Sequence, residues 1–537
     1  MWQQKATLRQ QRQYLSCKRR AGIQSSHQPM TASFAFVFIT LPWLNPFSPG
    51  PTPAVWPFLF SWMCASLLWL ALVLSSAKGQ ARVMVRSVAL AWLAAAGINA
   101  AIGLLQYFGA TAWAAPWINH TGIGEAYGNL RQRNQFATLM NIGLAALLWL
   151  AANLQRHTPK TPWPTLLSLA AALLLAAGNA ASSSRTGLMQ LMLIAAFTGW
   201  WQQQTTTPHA RARHLRPVYQ VLLMALLAYA TSLLVLPLLA GLDPLASGAW
   251  ARLRSGDALC ASRLTLWSNV LQLIAQKPWL GWGWGELDYA HFMTLYPGAR
   301  FCDILDNAHN LPLHLAVELG LPLALLACSG AAWLLWRARP WRELDATRQL
   351  AWVVLAIIGL HSLLEYPLWY GPFQVAALLS VWLLWQKGPR RPKLDGYKHS
   401  RPQWRHLYAT LAITTVAFCG YVGWNYQLVS QIYLPPTARM AGYQDDTLQK
   451  ISKVALFQDQ VRFASLTTTE LDATNAREVH DLALDMLHFS PEARVVELIL
   501  ESSKLLGRAE DVRFFSTRYQ AAFPAEYAKW VATQPRQ

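Results

Sequence analysis

The chain has 537 residues, of which 54% are hydrophobic, only 13% are charged and 27 are Trp. A soluble domain carries about a quarter charged residues, so this balance excludes an ordinary soluble globular protein. The net charge of +19 is read as a topology signal carried by Lys and Arg in loops, not as a nucleic-acid footprint.

In chain order, the first 30 residues are polar and basic, with no apolar core or cleavage site of their own. They do not form a cleavable signal peptide by themselves; the first apolar span is expected to direct insertion and stay. Runs near the length of a bilayer crossing then recur at 31–44, 55–76, 87–108, 135–153, 165–181, 187–201, 217–240, 311–336, 350–366, 372–386 and 406–424, about eleven in all. Lys5, Arg9 and Arg12 in the tail, Lys78 and Arg82, Arg156 and Lys160, Arg211 and Arg213, Arg337 to Arg348, and the 387–405 tract then share one side. That side is cytoplasmic by the positive-inside rule, which puts the tail after 424 outside.

The expected organisation is a cytoplasmic tail at 1–30, a transmembrane region at 31–241, a long outer loop at 242–310, a second transmembrane region at 311–424 and an outer domain at 425–537. In the loop, Trp267, Val270, Leu271 and Ile274 predict an amphipathic helix over 263–276, lying on the membrane surface. Gly281-Trp282-Gly283-Trp284-Gly285 reads as a tight turn with aromatic anchors, not a phosphate-binding fingerprint. Cys260 and Cys302 fall in this same loop. An oxidising compartment would permit a bridge; two unrelated thiols are the alternative. In the last region, Asn475 with Glu478 suggests a capping box, Ser490-Pro491 a second helix start and Gly507 its end, with a third helix over 509–522. Short helices of this kind resemble a tetratricopeptide-like array, which would bind a protein partner or brace the loop.

Four polar clusters lie at the outer ends of spans. Asp306-Asn307-Ala308-His309-Asn310 offers His309 as a general base, with His314 five residues on. Arg185, in Ser182-Ser183-Ser184-Arg185-Thr186-Gly187, suits bidentate phosphate binding, and Arg263 has a similar case. Gly128-Asn129-Leu130-Arg131-Gln132-Arg133-Asn134-Gln135 gathers amides for sugar hydroxyls and guanidinium groups for phosphate. His361 to Tyr370 brings Glu365, which needs a partner near a membrane boundary, and Tyr366. The bland readings are an interfacial histidine, headgroup snorkelling, helix caps and an aromatic belt. Walker, paired-Cys and Gly-X-Ser-X-Gly motifs are absent, which disfavours metal-dependent or ATP-driven chemistry and implies no cofactor. A transporter would carry ionisable groups at mid-span and internal repeats. Clusters at outer ends favour an enzyme working on a greasy, anionic substrate at the outer membrane face.

These motifs resemble bacterial protein O-oligosaccharyltransferases of the PglL type, within the O-antigen ligase and polymerase group. The resemblance is carried by Gly128 to Asn134, Ser184-Arg185-Thr186-Gly187, Ala308-His309-Asn310 with Glu318-Leu319-Gly320-Leu321-Pro322, Glu365 to Tyr370, and the Arg263…Trp267 and Pro278…Gly283 patterns. It implies an all-α polytopic, GT-C-like membrane fold in the bacterial inner membrane. It also implies transfer of a glycan from undecaprenyl pyrophosphate to Ser or Thr of exported, pilin-like proteins. By position, His309 matches the family's loop histidine, Gln132 its early glutamine, Tyr366 its late tyrosine and Arg185 its phosphate-facing arginine. Arg263, Arg131, Arg133, Asn134, Asn310 and Glu365 are further candidates for substrate contact. An O-antigen ligase, with lipid A-core sugar as acceptor, is the near rival, and a polymerase the third reading.

Overall fold

The computed structural model describes residues 31–74, 80–154, 162–204, 208–246, 248, 254, 259–386 and 402–534. Expectations for the tail before 31, for Lys78, Arg156 and Lys160, and for the tract 387–401 lie outside these residues. The described residues form helices and short 3-10 turns, without a strand.

The membrane region consists of α1 (Thr31–Leu44), α2 (Val55–Leu74), α3 (Gln80–Tyr107), α4 (Arg133–Leu154), α5 (Trp163–Ala181), α6 (Arg185–Gln203) and α7 (Pro208–Leu239). After the outer loop come α10 (Leu311–Leu319), α11 (Leu321–Ala338), α12 (Ala346–Ser362), α13 (Gly371–Gln386) and α14 (Pro402–Val429). Among the described residues, seven helices are long and apolar enough to cross a membrane, within α2, α3, α4, α5, α7, α11 and α14. Two shorter apolar helices, α1 and α13, match two further expected spans. Helices also occupy the remaining two, α6 and α12, where Gln190 and His361 are fully buried. Eleven crossings therefore remain a proposal.

Helix α4 is the hub. It packs against α3, α5, α6, α7 and α12. Ala95, Ala96 and Ala100 of α3 are fully buried, as are Leu139 and Ile142 of α4. Small side chains let backbones approach, and dispersion then replaces the hydrophobic drive that lipid removes. By contrast, α11 has Leu325, Leu326, Trp333 and Trp336 exposed, as a lipid-facing helix requires.

The two ends of the bundle differ. At one end Arg405 donates to the carbonyls of Val73 and Leu74, Trp201 donates to Pro340 O at 2.8 Å, and Arg348 donates to Leu384 O at 2.5 Å. This is the end that carries Arg337, Arg339 and Arg342. At the other end Tyr426 bonds Thr52, and Glu365 of the α12–α13 connection accepts from Asn134 of α4 and from Arg263 of the outer loop.

The expected span over 311–336 is broken. Gly320 takes φ +85° and separates α10 from α11. The reason is an interlock with the glycine turn: Trp282 N donates to Val317 O at 2.9 Å, Gly283 N to Glu318 O at 3.0 Å and Leu321 N to Pro278 O at 2.8 Å. Helix α8 (Arg263–Gln276) matches its expected bounds. Its apolar face does not rest on a membrane, however. Leu266, Val270, Leu273 and Ile274 pack on Leu287 of α9 (Leu287–Met293), on Phe301 and Leu305, and on Ala316 and Val317 of α10. Cys260 and Cys302 pair as a disulfide with Cα atoms 5.2 Å apart, closing the loop's base.

Beyond α14 lie α15 (Thr447–Ile451), α16 (Gln458–Thr468), α17 (Ala476–Met486), α18 (Ala493–Leu505), α19 (Ala509–Ala522) and α20 (Pro524–Thr533). Helix α17 packs on α18, and α18 on α19, around Val479, Met486, Val496, Ile499 and Tyr519. Asn475 starts α17 without the expected capping box, because its side chain bonds Asp472 N and Glu470 O instead. The second helix begins at Ala493, with Glu492 at the position before it, and not at Pro491. Gly507, with φ +69°, follows its end as expected. These helices grip α9: Phe292 is buried in their core, Arg518 donates to Met293 O at 3.0 Å, and His488 pairs with Glu286 at 2.7 Å. These contacts tie the tail to the outer loop.

Candidate active site

The site forms where α4, α6, α8, α10 and α12 end together. His309 stands directly before Asn310, which caps α10 by accepting from Leu313 N at 3.1 Å. The backbone of His309 takes φ +48°, a left-handed conformation that non-glycine residues rarely adopt, with its N–H donating to Asn307 Oδ1 at 2.8 Å. Asn310 donates to Leu363 O at 3.0 Å and ties this turn to the segment after α12.

That segment carries Glu365, the centre of the cluster. Helix α12 ends at Ser362, earlier than expected, so Glu365 lies in a buried turn. Its Oε2 lies 2.7 Å from His309 Nδ1. Its Oε1 accepts from Arg263 Nη2 and, at 3.3 Å, from Asn134 Nδ2. Burial alone would raise the Glu365 carboxyl, but the hydrogen bond from His309 and the charges of His309 and Arg263 outweigh it and hold the group below the usual carboxylate range. An ionised carboxylate can only accept, so Nδ1 of His309 carries the proton. In the neutral imidazole this tautomer leaves Nε2 with its lone pair, as a base needs. Tyr366 packs edge-on to the imidazole with ring centres 5.0 Å apart. Burial pushes its hydroxyl up, keeping it a neutral donor.

Asn134 opens α4. Its Oδ1 accepts from Ser184 Oγ at 2.6 Å, and Ser184 in turn caps α6 by accepting from Gly187 N at 3.0 Å. Beneath them Thr138 meets His361 Nδ1 at 2.9 Å and accepts from Gln190 at 2.9 Å. Arg185 follows Ser184 and is exposed. It stands at the polar mouth of a cleft of about 280 Å³ between α6 and α7, floored by Leu188, Leu191, Met192, Leu226, Tyr229 and Leu233.

The other candidates are engaged elsewhere. Gln132 Oε1 accepts from Gln135 N at 3.0 Å, a cap on α4. Arg131 donates to Pro46 O at 2.6 Å, and Arg133 to Tyr127 Oη at 2.9 Å, both bonds to scaffold groups. Sequence reasoning quoted Ser184 as motif but missed its bond to Asn134, and it left the partner of Glu365 open. Both pairings join segments far apart in the chain.

Three family models match the chain. Residues 126–151 match a protein glycosylation ligase, 170–328 an O-antigen ligase and 349–537 the C-terminal part of a virulence factor membrane-bound polymerase. The chain resembles the O-antigen ligase superfamily, PglL type included. Asn134, His309 with Arg185 and Arg263, and Glu365 fall one group in each matched segment, so the site is assembled from all three. A general O-oligosaccharyltransferase of Acinetobacter baylyi is 30% identical over 112 residues, which span 21% of this chain and 19% of that relative. No solved structure matches.

Proposed function

We propose that this chain moves a preassembled glycan from an undecaprenyl diphosphate carrier to a Ser or Thr hydroxyl of an exported protein, at the outer face of the bacterial inner membrane. The observation that carries this reading is the His309–Glu365 pair, 2.7 Å apart, at the same end of the bundle as the Arg185-headed apolar cleft. The cleft suits a polyprenyl chain, and Arg185 its diphosphate. His309 Nε2 takes the proton of the acceptor hydroxyl as its oxygen attacks the anomeric carbon. The bond to the diphosphate oxygen breaks with inversion, and the carrier diphosphate leaves as an already stable anion. No metal ion is required by this scheme. Positioning supplies much of the rate, and general base catalysis adds about 10²–10⁴-fold.

The match to an O-antigen ligase over 170–328 supports the second reading, in which lipid A-core sugar is the acceptor. Mass spectrometry of exported proteins and of lipopolysaccharide, with and without this gene, separates the two. Glycan lost only from proteins supports the first; glycan lost only from lipid overturns it. Loss of transfer on chelation, restored by a divalent cation, would overturn the metal-free scheme.

A further inference from the structure

The mouth of the α6–α7 cleft and the His309–Glu365 pair are joined by one continuous set of side-chain hydrogen bonds. Gly187 N donates to Ser184 Oγ at 3.0 Å, Ser184 Oγ to Asn134 Oδ1 at 2.6 Å and Asn134 Nδ2 to Glu365 Oε1 at 3.3 Å. Glu365 Oε2 then holds His309 Nδ1 at 2.7 Å. Every direction in this chain is forced. An ionised Glu365 accepts only, so Asn134 must turn its NH2 toward it. Its carbonyl oxygen then faces Ser184, whose hydroxyl has to donate. Ser184 is buried and Asn134 half-buried, and Ser184 precedes Arg185 at the cleft mouth. An amide is the side chain at 134 that fits both neighbours: Asp would set a carboxylate against Glu365, and Ala would leave Ser184 without an acceptor.

We infer that Asn134 is a positioning residue, acting through Glu365 on His309 and not by touching the glycan carrier. It ties the α6 start, where Arg185 meets the diphosphate, to the base, so that the two halves of the site keep one geometry. This rests on the transfer reading above. It moves Asn134 from substrate contact, as the sequence suggested, to alignment of the base.

The test uses the full chain in lipid nanodiscs, with a polyprenyl diphosphate-linked glycan and an acceptor protein for kinetics, and undecaprenyl diphosphate alone for binding. Asn134→Ala should lower kcat about 10–100-fold while its Kd for undecaprenyl diphosphate stays within about threefold of the parent. Arg185→Ala should instead weaken that Kd. In a His309→Ala background, Asn134→Ala should add less than about twofold, because residues acting through one group are not additive. Ser184→Thr should keep activity and Ser184→Ala lose it in part. A Kd weakened as much as by Arg185→Ala, or an undiminished loss in the His309→Ala background, would overturn the positioning role. If Asn134→Ala does not fold, Asn134→Asp in the same two assays decides, with the same outcomes. Failure of the transfer reading looks different: the parent chain would move no glycan, or His309→Ala would be fully active, and the positioning role would fall with it.

Discussion

His309 and Glu365 are 56 residues apart in sequence, and their side chains meet at 2.7 Å. The carboxylate fixes the tautomer and turns the imidazole so that Nε2 faces outward from the pair. The arrangement has the logic of a carboxylate-oriented histidine base. His309→Ala is expected to cut kcat about 10²–10⁴-fold, with expression unchanged. Glu365→Gln keeps the shape but lets the amide present the wrong partner to Nδ1, so a loss of about 10²-fold or more is expected. Glycan transfer to an acceptor, followed by gel shift and mass, measures both.

The pH dependence of stability follows from the same carboxylate. The folded-state value of Glu365 is depressed, with burial opposing and His309 and Arg263 prevailing. The unfolded chain therefore binds this proton more readily than the folded one, and ionised Glu365 stabilises the fold. That contribution is present above the ordinary carboxylate range and is lost as pH falls through the depressed value. Melting curves of the parent chain and Glu365→Gln should differ at neutral pH and converge as the pH drops below about 4. Curves that stay parallel to low pH would contradict it.

Arg185 heads the cleft, and a guanidinium presents a fork that matches phosphate. A hydrogen bond to a charged group contributes about 1.5–3 kcal/mol. Arg185→Ala should therefore lower kcat/KM about 10–150-fold, mainly through donor KM. Arg185→Lys should recover part of this, since it restores charge but not the fork. A donor KM unaffected by Arg185→Ala would remove the diphosphate from this place.

What could be read in advance follows from which interactions are local. Helix α8 was legible to its ends because Trp267, Val270 and Ile274 repeat at helical spacing, and the basic loops fixed which ends belong together. Leu311 to Trp336 is mostly apolar, so hydropathy shows one span; Gly320 and Pro322 permit a break there, but the turn at 278–283 that fixes it lies far off in the chain and cannot be read locally. Pro524 reads as a stop after α19 yet also starts α20 at its first turn, where a missing N–H costs nothing. At the site, residue types pointed to His309, Arg185 and Glu365. The hydrogen bonds among Ser184, Asn134 and Glu365 were invisible because each spans a different pair of helices.

The paired Cys260 and Cys302 close a loop with a sequence separation of 42. Constraining an unfolded loop of that length stabilises by about 4 kcal/mol on the chain-entropy account. Replacing both with Ser should leave the membrane helices folded but open the outer loop to limited proteolysis between 242 and 310. Peptide mapping without reductant checks the bridge itself.

The interlock of Gly281 with Gly320 makes the sharpest structural prediction. A Cβ at Gly281 would stand 2.3 Å from Glu318 O, and one at Gly320 would stand 2.1 Å from Trp279 O; both obstacles are backbone and cannot swing aside. Both glycines also have positive φ, +70° and +85°, which side chains resist. Gly281→Ala or Gly320→Ala must therefore push the 278–283 turn away from the α10–α11 junction. Helix α10 begins just after His309 and Asn310, so the displacement reaches His309. Each variant should lower both the melting temperature and kcat, while Gly298→Ala, with open space around its Cβ, should change neither by much. Equal tolerance at all three positions, read by fluorescence size-exclusion and transfer assay, would show that the turn does not hold the site in place.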